Sequence, residues 1–378
     1  MRGWEAPVFT ERTSVGLDVH ARSVAAAGLD TVTGQVWEHR LRPDPAAVRA
    51  WLAELPGPVA VTYEAGPTGF GLARDLTAAG YRCEVAAPSK IRRAPGDRVK
   101  TDARDAMLLA RLLRMDDLTA VTVPSLEQEA ARDLVRARED CRTDLMRARH
   151  RLSKLLLRHG EVWDKPQAWT QAHDRWLRQL LARDWPVGTQ TALEAAYETV
   201  NVITARRDRL DKEIATLSGD SEFTPTVRRL GCLRGISTLT GFALAVEIGD
   251  WTRFSGASIG AYVGLTPSEY SSGNSRSQGS ITKTGNTHVR RLLVEAAWHH
   301  RPAYRPGKTM QDRWALAPVA AQVRGDAGNR RLHRQWVKFT ARKKKYNVAT
   351  VAIAREMAGW CWSLATLDQV PVEGATLA

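Results

Sequence analysis

The chain has 378 residues, 43% hydrophobic and 25% charged, the composition of an ordinary globular protein long enough for two domains with their own cores. No apolar run approaches the ~20 residues that cross a bilayer, and the N-terminal MRGWEAPVFTERTS lacks the apolar core of a signal peptide, so a cytoplasmic protein with no membrane partner is expected. Fifty-five Lys and Arg against 41 Asp and Glu leave a net charge of +14 and an isoelectric point near 10.0, a field that attracts polyanions, nucleic acid first among them.

Cations concentrate in 132–158 and 324–345 rather than scattering evenly, which favours a nucleic-acid surface over a mere aid to solubility. The four cysteines (Cys83, Cys141, Cys232, Cys361) lie far apart without CxxC or Cys/His spacing. Neither a disulfide framework nor a zinc site is suggested.

In chain order, residues 14–41 read as a β-meander: SVGLDV, SVAAAGLD, a TVTG turn and QVWEHRL. A helix after Pro45 (AAVRAWLAEL) ends at PGP. A buried strand, PVAVTYEAG, follows, then a helix, GFGLARDLTAAG, with Gly80 as its stop, and a strand, YRCEVAAP. Beyond the basic loop SKIRRAPGDRVK, TDARDAMLLARLLRM has helical spacing. Strands in a meander and then in alternation with helices predict a mixed α/β sheet with helices packed on it.

From Ser125 to about Gly160 a long, basic helix is expected, and a second covers roughly 190–218. In the second, Leu193, Ala196, Val200, Ile203, Leu210, Ile214 and Leu217 form a heptad stripe that suits a helix pair within the chain or a coiled coil between subunits equally well. The intervening Trp163, Trp169, Trp176 and Trp185 suggest no function. RRLGCLRGISTLTGFALAVEIGD fits a helix–hairpin–helix, with Leu230 and Leu233, a turn at Gly235-Ile236 and an apolar helix to Ile248. Such turns offer backbone N–H groups to a DNA phosphate, although any helical hairpin with a glycine turn would look the same.

Four acids stand out in this basic chain. Asp18 closes SVGLDV, Glu64 closes PVAVTYE, and Asp102 and Asp105 lie one turn apart at a helix start. Singly, each has an ordinary reading as turn residue, edge acid, helix cap or partner of the helix dipole. Together, in the order strand, strand, helix, they resemble a ribonuclease-H-type core that holds divalent metal with hard oxygen ligands.

GLDVH, YEAGPTGFGLARDLTAAGY and GDRVKTDARDA closely resemble the N-terminal domain of the DEDD-motif insertion-sequence transposases, RuvC-like recombinases related to Piv-type DNA invertases. The likeness continues through the basic helix into the C-terminal half. It implies that Asp18, Glu64, Asp102 and Asp105 are catalytic acids binding Mg2+, with Mn2+ as the alternative. It also implies three parts: a RuvC-like domain over 1–124, a helical coiled-coil connector over 125–222, and a mostly helical transposase domain over 223–378.

LTPSEYSSGNSRSQGSITKTGNTHVRRLLVEAAW (265–298) reads plainly as a flexible polar loop between an apolar helix, SIGAYVGL, and a periodic one opened by TGNTHVRR. Arg276, Lys283, Arg290 and Arg291 accompany its hydroxyls, as a phosphate-handling nucleophile requires. In the family this segment carries a Y-x-SG nucleophile, and the matching residue is Ser272, with Ser275 next if the register slips. The C-terminal run RRLHRQWVKFTARKKKYNVATVAIAREMAGWCW interleaves cations, Lys343, Lys344 and Lys345 among them, with Trp336, Phe339 and Tyr346. Its basic side suits nucleic acid; its aromatics suit stacking on bases or packing on a core.

The resemblance implies a transposase that joins Ser272 covalently to DNA, working on donor and target DNA under the guidance of a structured bridge RNA from the element. It further implies a bacterial, nucleoid-associated enzyme, a homodimer that assembles to a homotetramer. Two rivals fit the same residues. One is a structure-selective endonuclease of the Holliday-junction resolvase type using metal-activated water. The other is a nucleic-acid-binding protein without catalysis.

Overall fold

A computed structural model of the chain describes residues 11–92, 101–272, 275 and 277–367. It divides into two compact units, residues 1–125 and 126–378.

In the first unit the meander forms as its alternation predicts. β1 (Thr13–Val19) pairs antiparallel with β2 (Val24–Asp30), which pairs with β3 (Val36–Leu41). Asp30 shapes the β2–β3 turn by accepting the N–H groups of Val32 (2.7 Å) and Thr33 (3.0 Å), and Gly34 supplies the positive φ of +76°. Helix α1 (Pro45–Ala53) starts where Asp44 caps the Ala46 N–H and Pro45 fixes the first φ. It leads to β4 (Val59–Glu64), parallel to β1; α2 (Gly71–Ala78) then carries the chain over to β5 (Arg82–Ala86), parallel to β4. The sheet order is β3-β2-β1-β4-β5, the expected mixed sheet.

Its two faces are covered differently. Val15, Leu17, Val61 and Tyr63 point to one face and bury against Trp51 and Leu52 of α1 and Leu76 of α2. The opposite face takes α3 (Asp102–Arg114), whose Ala106, Leu109, Ala110 and Leu113 are buried. Gly16 makes this docking close, because no side chain separates β1 from the α3 backbone.

The second unit is nearly all helical. The basic helix α4 (Leu126–Arg158) is followed by α5 (Gln171–Leu181) and α6 (Val187–Gly219). Leu193 and Val200 of α6 bury with Leu145, Leu152 and Leu156 of α4, so these stripe positions have their partners inside the chain. Trp169, Trp176 and Trp185 pack against the same cluster, and Trp163, Trp169 and Trp176 surround the His173 ring at 4.8–5.4 Å. The Trp-rich segment is an aromatic plug on a helix pair.

The expected hairpin comprises α7 (Thr224–Leu230) and α8 (Thr238–Ile248), turned by Gly235 at φ +87° and capped by Ser237 Oγ on the Thr240 N–H. After it come α9 (Ser258–Tyr262), strands β6 (Pro267–Glu269) and β7 (Gln278–Ile281), and helices α10 (Thr287–Ala297), α11 (Lys308–Trp314), α12 (Val319–Ala341) and α13 (Tyr346–Ala365). Leu230, Leu233, Ile236, Leu293, Trp336 and Ile353 share one core.

Two local expectations change. The helix expected over SIGAYVGL is a single turn, stopped before Gly264 (φ +69°). The serine-rich segment is a β6–β7 hairpin rather than a free loop, and its pairing is largely backbone to backbone. Of the C-terminal aromatics, Trp336 is 1% exposed and donates its indole N–H to Ala297 O at 3.1 Å, so it belongs to the core.

Candidate metal centre and serine hairpin

The acids come together through strand register. Gly16 pairs with Thr62 and Leu17 with Tyr63, so Asp18 and Glu64 stand at the same carboxyl end of neighbouring parallel strands. That is where open α/β sheets hold their ligands. Side chains alternate along a strand, so Asp18 shares the face of Gly16, against which α3 lies. One helical turn before Ala106, which packs on Gly16, is Asp102. Thr101 starts this helix, its Oγ1 accepting the Arg104 N–H at 3.3 Å, and Asp102 and Asp105 fall in the first turn.

The outcome is a cluster of Asp18, His20 and Asp102 whose ligand atoms all lie within 4.8 Å of one another. His20 Nε2 stands 3.1 Å from Asp18 Oδ2 and 3.7 Å from Asp102 Oδ1, bridging the two carboxylates. Two oxygens bound to one Mg2+ at about 2.1 Å lie at most about 4.2 Å apart, so this pair fits a small divalent ion after a minor adjustment of side chains. Glu64, exposed at the end of β4, and Asp105, half-buried on α3, are not members of this group. His20 was not singled out by sequence reading. Its signal was present in GLDVH, where residues i and i+2 of a strand end share a face.

Ser272 is exposed near the tip of the hairpin. It exchanges backbone hydrogen bonds with Ser275 at 3.2 and 3.0 Å, and Tyr270 donates to Ser277 O at 2.9 Å. Ser271 Oγ donates to Glu269 at 2.9 Å, whereas the Ser272 hydroxyl has no hydrogen-bond partner among the described residues. Arg276 lies outside the described residues. Lys283 is exposed at φ +56° after β7.

Arg290 and Arg291, sought as DNA contacts, make contacts within their own unit. Arg290 Nη1 donates to Val263 O (2.9 Å) and Thr284 O (2.7 Å), tying together the two ends of the hairpin segment. Arg291 is ion-paired with Glu139 and Glu295. Lys343, Lys344 and Lys345 are exposed in the break between α12 and α13, with Lys343 at φ +53° and the Lys344 ammonium over the Phe339 ring at 5.0 Å.

Behind the hairpin lies an ionic network that periodicity did not reveal. Glu247, buried in the otherwise apolar helix α8, accepts Arg136 Nε at 3.2 Å and Nη2 at 3.1 Å, Asn286 Nδ2 at 2.9 Å, and lies 3.3 Å from His288 Nδ1. Burial alone would raise its pKa. The hydrogen bonds of His288 and Arg136, the Arg136 charge and Asn286 outweigh that and hold it at about 2. Asn286 also caps α10, accepting the Val289 N–H at 3.0 Å, so the network fixes the helix that follows the hairpin. A lone Glu within LTGFALAVEI was the available signal.

Carboxylates at parallel strand ends facing a helix start, with a basic unit that exposes a serine, suit an enzyme acting on phosphodiesters. Residues 15–160 match the model of the IS110-type DEDD transposase domain, and residues 227–314 match that of the transposase IS116/IS110/IS902 family. A Sinorhizobium fredii protein named as a transposase, y4qE, is 41% identical over 80% of this chain and 74% of its own length. The transposase for insertion sequence element IS1533 of Leptospira borgpetersenii is 29% identical over 88% of this chain and 97% of its own. The chain belongs to the IS116/IS110/IS902 family of transposases, and it is a DNA transposase.

Proposed function

We propose that this transposase cuts and rejoins DNA strands through a covalent bond to Ser272, assisted by a divalent metal held by Asp18, Glu64, Asp102 and Asp105. Ser272 Oγ attacks the phosphorus of a phosphodiester. A P–Oγ bond forms, the P–O bond to a deoxyribose oxygen breaks, and the proton lost from Oγ ends on that oxygen, which leaves as a hydroxyl. Attack by the hydroxyl of another strand reverses the step and frees the serine, so bond energy is kept for rejoining. Mg2+, or Mn2+ in its place, supplies charge neutralisation at the phosphate. His20 joins Asp18 and Asp102 as a third group toward that ion.

The observation that carries this reading is the convergence of Asp18 and Asp102 within one cluster, from a strand end and a helix start 84 positions apart. The Ser272 hydroxyl, exposed on a stapled hairpin, adds to it. Arg276, Lys283, Lys343, Lys344 and Lys345 grip the DNA backbone, while Arg290 holds the two ends of the hairpin segment together and Arg291 ties α10 to α4 through Glu139. In keeping with the family, the enzyme works in the bacterial cytoplasm on nucleoid DNA. Pairing with a structured RNA from the element chooses donor and target sequences, and a homodimer assembles to a homotetramer. Among the described residues no helix is long and apolar enough to cross a membrane.

The test is covalent trapping. Protein, RNA transcribed from the element's ends, labelled donor and target DNA and Mg2+ are incubated and then separated under denaturing conditions. A protein–DNA adduct is expected, lost in both Ser272→Ala and Asp102→Asn. Cleaved DNA without an adduct, undiminished in Ser272→Ala, would show a resolvase-type nuclease that uses water.

A further inference from the structure

One hollow in the second unit has no part in that chemistry. It is a groove of about 1000 Å³ bounded by α9, the base of the β6–β7 hairpin, α12 and α13. Ile281, Val351, Ala352, Trp360 and Trp362 give it an apolar lining. Arg324, Arg331 and Arg355 also line it. Arg331 is ion-paired with Glu356 at 2.9 Å. Arg324 donates to Ser363 Oγ at 2.8 Å and lies over the Trp360 ring at 4.9 Å. Neither Arg324 nor Arg355 has an acidic partner among the described residues.

An apolar slot with two uncompensated cations suits a flat apolar group that carries negative charge. An apolar protein surface would bury both guanidiniums without a counter-charge, at a large desolvation cost. A nucleotide would stack its base on the indoles and guanidinium planes and place its phosphates on the arginines. We propose that this groove holds an unpaired base of the DNA strand that passes Ser272, with Arg324 and Arg355 on the neighbouring phosphates.

The choice of DNA rests on the reading of Ser272 as nucleophile. Pro267 and Ile281 are paired at the hairpin base and line the groove, while Ser272 lies five residues farther along the chain, beyond the end of β6. At no more than about 3.4 Å per residue that is at most ~17 Å. A DNA strand advances about 3.4 Å per nucleotide, so the base held in the groove lies within about five nucleotides of the scissile phosphate.

The test uses full-length Ser272→Ala protein, which makes its result independent of whether that serine is the nucleophile. A ten-nucleotide thymidine oligonucleotide with one 4-thiothymidine is photo-crosslinked and the modified peptides are mapped. Crosslinks in 347–363 are expected. Filling the groove with Ala352→Trp, or reversing its charge at the exposed Arg355 with Arg355→Glu, should weaken binding of this oligonucleotide at least tenfold while duplex binding falls less than threefold. Crosslinks only outside the groove, or full affinity in a folded Arg355→Glu protein, overturn the proposal. So does tighter binding of an oligouridine RNA, or self-association that Ala352→Trp abolishes. Groove crosslinking in a protein whose wild type forms no DNA adduct would keep the single-strand site and remove only its link to Ser272.

Discussion

Gly16 lies directly against the backbone of Ala106: a Cβ on Gly16 would stand 2.0 Å from the Ala106 carbonyl oxygen and 2.6 Å from the Ala110 nitrogen. Both are backbone atoms, so no side-chain rotation relieves the clash, and α3 itself must move. The same helix carries Asp102 toward Asp18. Gly16→Ala is therefore expected to destabilise the first unit by at least about 1–3 kcal/mol and to weaken metal binding as the two carboxylates part. Thermal unfolding with and without Mn2+ reads both effects, and an unchanged melting temperature would refute the close docking.

A metal bound by Asp18 and Asp102 stabilises the folded protein by mass action, about 2.7 kcal/mol at a hundredfold excess over Kd. Mn2+ titration should raise the melting temperature of the wild type by several degrees. Asp18→Asn and Asp102→Asn should each abolish the rise, and His20→Ala should reduce it. Equal rises in all four proteins would place the metal elsewhere.

The Glu247 carboxylate is held at about 2 against an ordinary 4.5. A depressed pKa means stability that is fully present above about pH 4.5 and is lost as pH falls toward 2, on the order of 3 kcal/mol in all. Glu247→Leu leaves Arg136, Asn286 and His288 without their shared acceptor and, because Arg136 is more than half exposed and water takes over its charge, should cost about 1–3 kcal/mol at neutral pH. Acid unfolding followed by circular dichroism should show the wild type losing stability across that window more steeply than Glu247→Gln. Parallel curves would remove Glu247 from the account.

Lys343, Lys344 and Lys345 are exposed between α12 and α13. If each neutralises a phosphate, replacing one with Ala lowers the slope of log Kobs against log salt by about 0.9. Fluorescence-anisotropy titrations of duplex DNA from 50 to 200 mM salt measure it. The same slope after triple replacement would mean that this lysine run only solvates a helix break.

Much of the first unit was legible because its strands and helices alternate with clear periods and stops. Asp44 with Pro45, Gly34 and Gly80 mark local boundaries that depend on backbone preferences rather than on distant partners. The positions of Asp18 and Glu64 at strand ends and of Asp102 and Asp105 at a helix start were likewise legible, because they follow from the local pattern.

Partners were a different matter. The stripe of α6 announced an apolar face, yet only the packed helices show Leu193 and Val200 meeting Leu152 and Leu156 of α4 in the same chain. The serine hairpin has no hydrophobic alternation to signal a strand; it exists through backbone pairing between residues 267–269 and 278–281. Asp18 joins His20 and Asp102, and Glu247 joins Arg136 and Asn286, across separations that no local period encodes. By itself the sequence determined which faces are apolar, where elements begin and end, and which carboxylates stand at strand ends, because these follow from neighbouring residues. Which faces meet, and which charges share a site, was decided by tertiary structure, because packing and ion pairing depend on distance in space rather than along the chain.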